Sequence, residues 1–369
     1  MTLSAGLIDE RGHQMERVED KGQPGKSMIA MGGHGSTERR RNPTRWAFFL
    51  ALGFGLFLNG CGEEKSGIAR VGILCGLDVF ATTSDGFKTK MTELGYLEGK
   101  HIVYDEQRTN FDPAAEQRIL RKFVDRKVDL ILVFPSEVSV AAKEITRGTG
   151  IPVVFCQTNI EGTGLIKSVP EPGGNITGVR YPGPDLALKR FEILRELAPK
   201  AKRVWLPYTK NSPIVSVQLT ALRPAAEKAG VTLVESPADG AADLIADLEA
   251  RAKADDIGID AVLFISEPLA RTPAVFPKIA QFAFNHKIPI GGVLYSFDGY
   301  STVFGVATDN IAVGRLAAQQ AHKVLRGIPP GTIPVASAES HFQLNYRVAQ
   351  ELGLKVPAGL MRQADEIIR

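Results

Sequence analysis

Markers of catalysis are scarce in this chain. Its six histidines, at 13, 34, 101, 286, 322 and 341, neither cluster nor fall at metal-ligand spacing, and no Gly-x-Ser-x-Gly or Walker pattern occurs. Serine, histidine and aspartate are present, but nothing places them together, so no enzyme, metal or cofactor is expected. Net charge is only +3 and no basic stripe is studded with aromatics, which disfavours nucleic acid as a partner. Cysteine is nearly absent, with three residues at 61, 75 and 156. Cys75 and Cys156 sit at the ends of predicted strands that the topology argued below separates by one intervening strand. At about 4.8 Å per strand that gap is roughly 9 to 10 Å, beyond disulfide reach. Both are read as buried small hydrophobes.

A long apolar run is missing too, but a short one is informative. Thirteen uncharged residues, Trp46 to Leu58, follow a basic run (Arg39, Arg40, Arg41, Arg45) and lead into Leu58-Asn59-Gly60-Cys61. The stretch is too short to span about 30 Å of hydrocarbon comfortably, and it matches the core of a secretory signal peptide. The Leu-Asn-Gly-Cys box predicts cleavage before Cys61, lipidation of its thiol and anchoring by two acyl chains. The alternative is an uncleaved membrane anchor, and either one places the working part outside the cytoplasm, in the periplasm or at the cell surface. Residues 1–45 are glycine-rich and charged without apolar periodicity, so a disordered basic leader is expected over 1–60, with Met1, Met28 or Met31 as start. A linker follows over 61–67.

Cutting at Cys61 leaves roughly 300 residues, above the size at which one core usually stops growing, so two lobes are expected. From Ile68 to about Tyr295 short runs rich in Val, Ile and Phe alternate with amphipathic stretches. Val71–Gly76, His101–Gln107, Asp129–Ser136 and Pro152–Thr158 read as strands; Phe87, Met91 and Leu94, or Ala115, Ile119 and Phe123, recur at helical spacing. This alternation predicts an α/β fold with parallel sheets and right-handed crossovers. Asp112-Pro113, Ser212-Pro213 and Thr272-Pro273 read as helix starts, and Gly95, Gly150, Gly230 and Gly327 as stops. The pattern breaks at Pro170–Asp185, after which a second series runs through Val204–Tyr208, Val231–Ser236, Ala261–Ser266 and Ile288–Tyr295. A helix over Asn310–Arg326 and a strand then return to the first lobe before the chain crosses again. Two doubly wound lobes joined by interlobe hinge crossings are expected: residues 68–182 with 306–333, and 183–305 with 334–369. The cleft between them, at the carboxyl ends of the strands, is where such sheets bind small ligands.

Several segments carry a resemblance: Ile151–Phe155, Gly164–Val179 with its PGGN turn, Leu186–Val204, Asn211-Ser212, the helix ending at Gly327, and Leu344–Pro357. Over roughly Ile68 to Pro357 the chain resembles extracytoplasmic substrate-binding proteins of ABC transporters, of the type I periplasmic binding group that includes tryptophan and tyrosine uptake components. Two departures touch the cleft. Thr158-Asn159-Ile160 stands where that family usually has an acidic residue and a proline, and Glu267 where an aspartate is more usual. The resemblance implies a lipoprotein that captures a small, amino-acid-like molecule, closes around it and delivers it to a permease and ATPase. A sensory partner of a membrane receptor uses the same lobes and is the alternative. A monomer is expected.

An amino-acid-like ligand dictates the candidate residues. Its carboxylate wants hydroxyls and amides at helix N-termini, which Ser136 supplies in one lobe and Asn211 and Ser212 in the other, although plain capping also explains each residue type. Its ammonium wants a carboxylate, for which Glu267, Asp298 and Asp78 lie just beyond strand ends, as solvated acids or caps do. Thr158 and Asn159 could bond the same group or hold their loop in shape. Tyr208, Phe80 and Tyr295 are candidate flat walls, or core.

Overall fold

In the computed structural model the described residues are Gly67–Arg369 apart from Phe111. The leader 1–60, the apolar stretch Trp46–Leu58, Cys61 and the linker as far as Ser66 lie outside them.

The first series runs β1 (Ala69–Cys75), α1 (Thr82–Glu93), β2 (Ile102–Arg108), α2 (Pro113–Asp125), β3 (Leu130–Phe134), α3 (Ser136–Ile145), β4 (Val153–Thr158) and β5 (Ile176–Arg180). The second runs α4 (Gly183–Leu197), β6 (Arg203–Thr209), α5 (Pro213–Lys228), β7 (Thr232–Ala238), α6 (Ala241–Ala252), β8 (Ala261–Leu263), α7 (Phe276–Asn285) and β9 (Ile290–Gly292). There follow β10 (Ser296–Phe297), β11 (Tyr300–Ser301), β12 (Phe304–Thr308), α8 (Asn310–Leu325), β13 (Ala336–Ser337), β14 (Ser340–Asn345), α9 (Tyr346–Glu351), α10 (Ala358–Gln363) and β15 (Glu366–Ile368).

Two large sheets result, ordered β2-β1-β3-β4-β5-β13 and β7-β6-β8-β9-β12-β14-β15, with β10 and β11 forming a separate hairpin. Every pair in the first is parallel; in the second only β12 and β14 run antiparallel. Helices cover both faces, so the central strands are buried on both sides and read as unbroken apolar runs. Along β1, Val71, Ile73 and Cys75 pack on one face of the sheet and Leu74 on the other, which alternation along a strand requires. The second sheet divides its core in the same way: Val204, Leu206 and Tyr208 of β6 point to one side and Trp205 to the other.

The chain passes between sheets after β5, after β12 and after β13. The segment Ile333–Asn345 is not one strand, because Ala336–Ser337 pairs with Val179–Arg180 of the first sheet and Ser340–Asn345 with β12 of the second. Sheet membership therefore changes at about residues 309 and 338, a few positions later than 306 and 334. Strand expectation also overran at Ile288–Tyr295, where β9 ends at Gly292 (φ +110°). Thr272 does not start a helix; its hydroxyl closes a 3-10 turn on Leu269 O at 2.9 Å, and α7 begins at Phe276. Asp112 does cap α2, accepting from Ala114 N at 2.9 Å and Ala115 N at 3.0 Å. Cys75 and Cys156 are buried free thiols. Burial raises the pKa of each, which keeps them protonated.

Side chains tie the crossings together. Gln157, at φ +49° beside a register shift in the β4–β5 pairing, donates from Nε2 to Asn310 Oδ1 at 2.7 Å and accepts from Thr308 Oγ1 at 3.2 Å. The Tyr181 hydroxyl, just past β5, meets Ser266 Oγ beyond β8 at 2.8 Å, and Arg180 Nε donates to Ser337 Oγ at 2.6 Å.

Candidate functional site at the lobe junction

The carboxyl ends of the central strands of both sheets lead into the loops that carry the predicted residues, and the structure sorts those residues sharply. Four have their polar atoms committed within their own lobe. Thr158 is 0% exposed, and its Oγ1 lies 2.8 Å from both Cys156 O and Ser139 Oγ. Ser136 Oγ accepts from Asn159 N at 3.0 Å, fixing the loop after β4 against the start of α3. Tyr208 packs into the second lobe's core and donates to Glu235 Oε2 at 2.7 Å; burial and that carboxylate push its phenol up to about 12. Glu267, 3% exposed, accepts from Thr209 N and Oγ1, Leu269 N and Ala270 N at 2.9 to 3.1 Å. Both its oxygens serve the loop between β8 and α7, so Glu267 is a loop cap rather than an open acid.

The other acids are exposed. Asp298, at φ +53°, forms with Gly299 the two-residue turn of the β10–β11 hairpin, where a left-handed backbone is required. Asp78 lies 3.7 Å from Arg108 Nη1, with most of its side chain in solvent. Of the candidate walls, Phe80 packs on the first lobe's core, and Tyr295 sets its ring edge-on to Phe276 at 4.8 Å.

Three predicted residues retain uncommitted polar atoms. Asn159 is 7% exposed, and its Oδ1 is buried without a hydrogen-bond partner. A Cβ added to Gly183 would lie 2.5 Å from that oxygen, so the amide rests on the backbone where α4 begins and reaches across from the first lobe to the second. Ser212 precedes α5 without using its hydroxyl as a cap, and Asn211, exposed at φ +59°, turns the chain out of β6. The amino end of α5 has no acidic residue in its first turn, which leaves its positive dipole end uncompensated.

A second polar group was not foreseen. Arg190 on α4 is 1% exposed and donates to Val306 O from Nε at 2.9 Å and from Nη2 at 2.6 Å. Its Nη1 donates to Ser266 Oγ at 2.8 Å. Arg271, in the turn Leu269–Arg271, donates from Nη2 to Glu267 O at 2.9 Å. Burial, and then the nearby Arg190 charge, lower its pKa. A signal for Arg190 was present, because it falls in line with Leu186, Ala187, Ile193, Leu194 and Leu197, where helical spacing calls for an apolar residue.

Two lobes, three crossings and a polar junction describe a binding fold, and the sequence profile of ABC transporter substrate binding proteins matches residues 71–368. The chain belongs to this family. It is a family of substrate-binding proteins, not of enzymes, and that settles the class of activity. A tyrosine-binding protein of Clostridioides difficile is 28% identical over 259 residues, covering 69% of this chain and 71% of that one. A crystal structure from Streptococcus pneumonia, in complex with L-Trp, superposes with a TM-score of 0.68 at 21% identity, covering 82% of this chain and 100% of that one. The ligand-free, open structure of a substrate-binding protein with adhesive properties from Clostridium difficile gives 0.66 at 23% identity, with 82% and 99% covered. At these identities the structural likeness speaks for the fold alone.

Proposed function

We propose that this chain is the extracytoplasmic, lipid-anchored binding component of an ABC importer, which takes up a small amino-acid-like molecule between its lobes. The observation that carries this reading is a pair of sheets hinged by three crossings, with Asn159 Oδ1 a buried acceptor without a partner beside Gly183 at the first crossing; beyond β6, Ser212 leaves its hydroxyl uncommitted. An unfilled buried acceptor costs stability unless something else completes it. Asn159, Asn211 and Ser212 are the proposed ligand contacts, and Ser136 positions Asn159. The family's tyrosine-binding and tryptophan-bound relatives support an amino acid as the occupant. Closure follows from population shift, since only the closed form lets both lobes touch the ligand. The acyl chains on Cys61 hold the protein, as a monomer, at the membrane beside a permease and its ATPase.

Isothermal titration with a panel of amino acids, alongside small-angle scattering, tests this. A binding amino acid is expected to reduce the radius of gyration. Binding without compaction defeats the closing mechanism, and no binding across the panel defeats the amino-acid reading. Mass spectrometry of the protein produced with its leader tests the anchor, with a diacylglycerol-modified Cys61 expected.

A further inference from the structure

The first sheet begins at the end opposite the carboxyl termini of its strands, where the candidate ligand contacts of this lobe stand. β1, β2 and β3 are parallel and start together there: Ala69 N donates to His101 O at 2.9 Å, and Asp129 N to Arg70 O at 2.8 Å. The turn after α1 folds onto the same place, with Leu97 N donating to His101 Nδ1 at 3.2 Å. The Tyr96 hydroxyl, 3.1 Å from His322 Nδ1, brings the last turn of α8 beside it. Four stretches are thereby gathered at one end, residues 67–70, 94–101, 126–129 and 326–328. They hold five Lys or Arg residues (Arg70, Lys100, Arg126, Lys127 and Arg326) against two acids, Glu98 and Asp129. All five cations are exposed, and among the described residues Lys100, Lys127 and Arg326 form no ion pair. Ile68, Leu97 and Ile328, on three of these stretches, are exposed as well. Helix carboxyl ends favour cations, which accounts for the three beside α2 and α8. It accounts neither for Arg70 and Lys100, at strand starts, nor for three apolar side chains left in water.

We propose that this end of the first lobe rests on the anionic phospholipid headgroups of the membrane that holds the acyl chains. The inference rests on the lipid anchor at Cys61 proposed above and adds the surface that faces the lipid. Gly67 is six residues beyond Cys61, so the link spans at most about 20 Å even when fully extended. The strand starts next to Gly67 are therefore never far from the bilayer. Cations held that close are drawn to anionic headgroups, an attraction that fades within a Debye length of about 8 Å at physiological salt. Lys100, Lys127 and Arg326 bring charge that no acid of the described chain takes up, and Ile68, Leu97 and Ile328 bring apolar surface to bury at the headgroup boundary. The carboxyl ends of the strands, with Ser136 and Asn159, lie away from the end that touches lipid, so the contact does not compete with ligand entry.

The test reconstitutes the acylated protein, extracted from cell membranes in detergent, into vesicles of phosphatidylcholine alone or of phosphatidylcholine with phosphatidylglycerol. Surface lysines are acetylated with a water-soluble reagent, and the extent at each site is read by mass spectrometry. Lys100 and Lys127 are expected to react about fivefold more slowly on the anionic vesicles, and raised salt should restore their rate. Lys228 and Lys278, exposed on the second lobe, are expected to react equally on both. Equal rates for Lys100 and Lys127 on the two kinds of vesicle overturn the proposal, as does a slowing shared by all four lysines. If Cys61 carries no acyl chain, the anchor reading fails, and flotation of the same chain with the anionic vesicles judges the surface separately. Flotation lost in Lys100→Gln/Lys127→Gln/Arg326→Gln but kept in Lys228→Gln/Lys278→Gln upholds it. Flotation lost in both variants, unchanged in both, or absent from wild type ends it.

Discussion

Thr158 and Asn159 are adjacent in sequence and opposite in circumstance, which makes them a controlled comparison. The Thr158 hydroxyl is enclosed with Cys156 O and Ser139 Oγ, so Thr158→Val removes a hydrogen bond while keeping the shape of the side chain. A stability loss of about 1 kcal/mol is expected, read by urea denaturation, with ligand affinity within about twofold of wild type. Asn159→Ala removes an oxygen that has no partner in the protein. It should cost little or nothing in stability and weaken ligand binding about tenfold, the equivalent of 1.4 kcal/mol; the reverse pattern in the two variants would remove Asn159 from the site. Position along the chain identified these loops correctly as strand ends, yet it could not say which atoms were spent. Glu267 and Ser136 have suitable chemistry for a ligand but use it on backbone amides brought close by tertiary folding. The Asp298-Gly299 pair carried a readable hairpin signal, and it outweighs the acidity of Asp298 as the reason that residue is there.

At the scale of elements, α1 and α8 come from distant parts of the sequence and pack almost backbone to backbone. An added Cβ on Gly86 would lie 2.2 Å from Ile311 O, and one on Gly314 would lie 2.0 Å from Thr83 O. In an isolated helix Gly→Ala gains roughly 0.5–1 kcal/mol. Here the methyl group meets a main-chain oxygen that cannot rotate away, and overpacking of that kind costs about 1–3 kcal/mol. Gly314→Ala is therefore expected to lower stability, measured as a reduced urea midpoint with an unchanged slope; a raised midpoint would mean the helices separate freely. The turn just after α1 makes a pH-sensitive contact with α8, in which the Tyr96 hydroxyl lies 3.1 Å from His322 Nδ1. Burial and then the Arg326 charge lower the His322 pKa below its ordinary 6.5. The unfolded chain therefore takes up the proton first as pH falls, and the contribution is full above about pH 6.5 and declines below it. The melting temperature of wild type should fall more between pH 7 and 5.5 than that of His322→Gln, and parallel curves would rule the contact out as the cause. Most strands and helices before α7 were legible as an apolar run or an amphipathic period. The exchange at β13 and β14 was not, because two residues of one sheet and six of the other share a single stretch of strand-like composition.

For the whole molecule, the order of crossings decides how the lobes depend on each other. The first sheet gains β13 and its covering helix α8 only after most of the second lobe has been traversed. The first lobe can then be complete only when the second holds residues 180 and 310 close together, as the Gln157–Asn310 and Tyr181–Ser266 hydrogen bonds require. Two lobes linked once could unfold separately; lobes threaded three times should unfold together. Trp205 gives a local probe, since it is fully buried in the second lobe and is the single tryptophan among the described residues. Gly314→Ala perturbs only the packing of the first lobe, yet it is expected to shift the Trp205 fluorescence transition in urea by the same amount as the far-ultraviolet dichroism transition. If the Trp205 midpoint stays at its wild-type value while the dichroism curve moves or splits, the lobes are independent folding units. Closure would then be the docking of two separately stable bodies. Coincident midpoints would instead mean that the hinge also couples their stability, so that ligand held at the junction protects both lobes from unfolding by the same free energy.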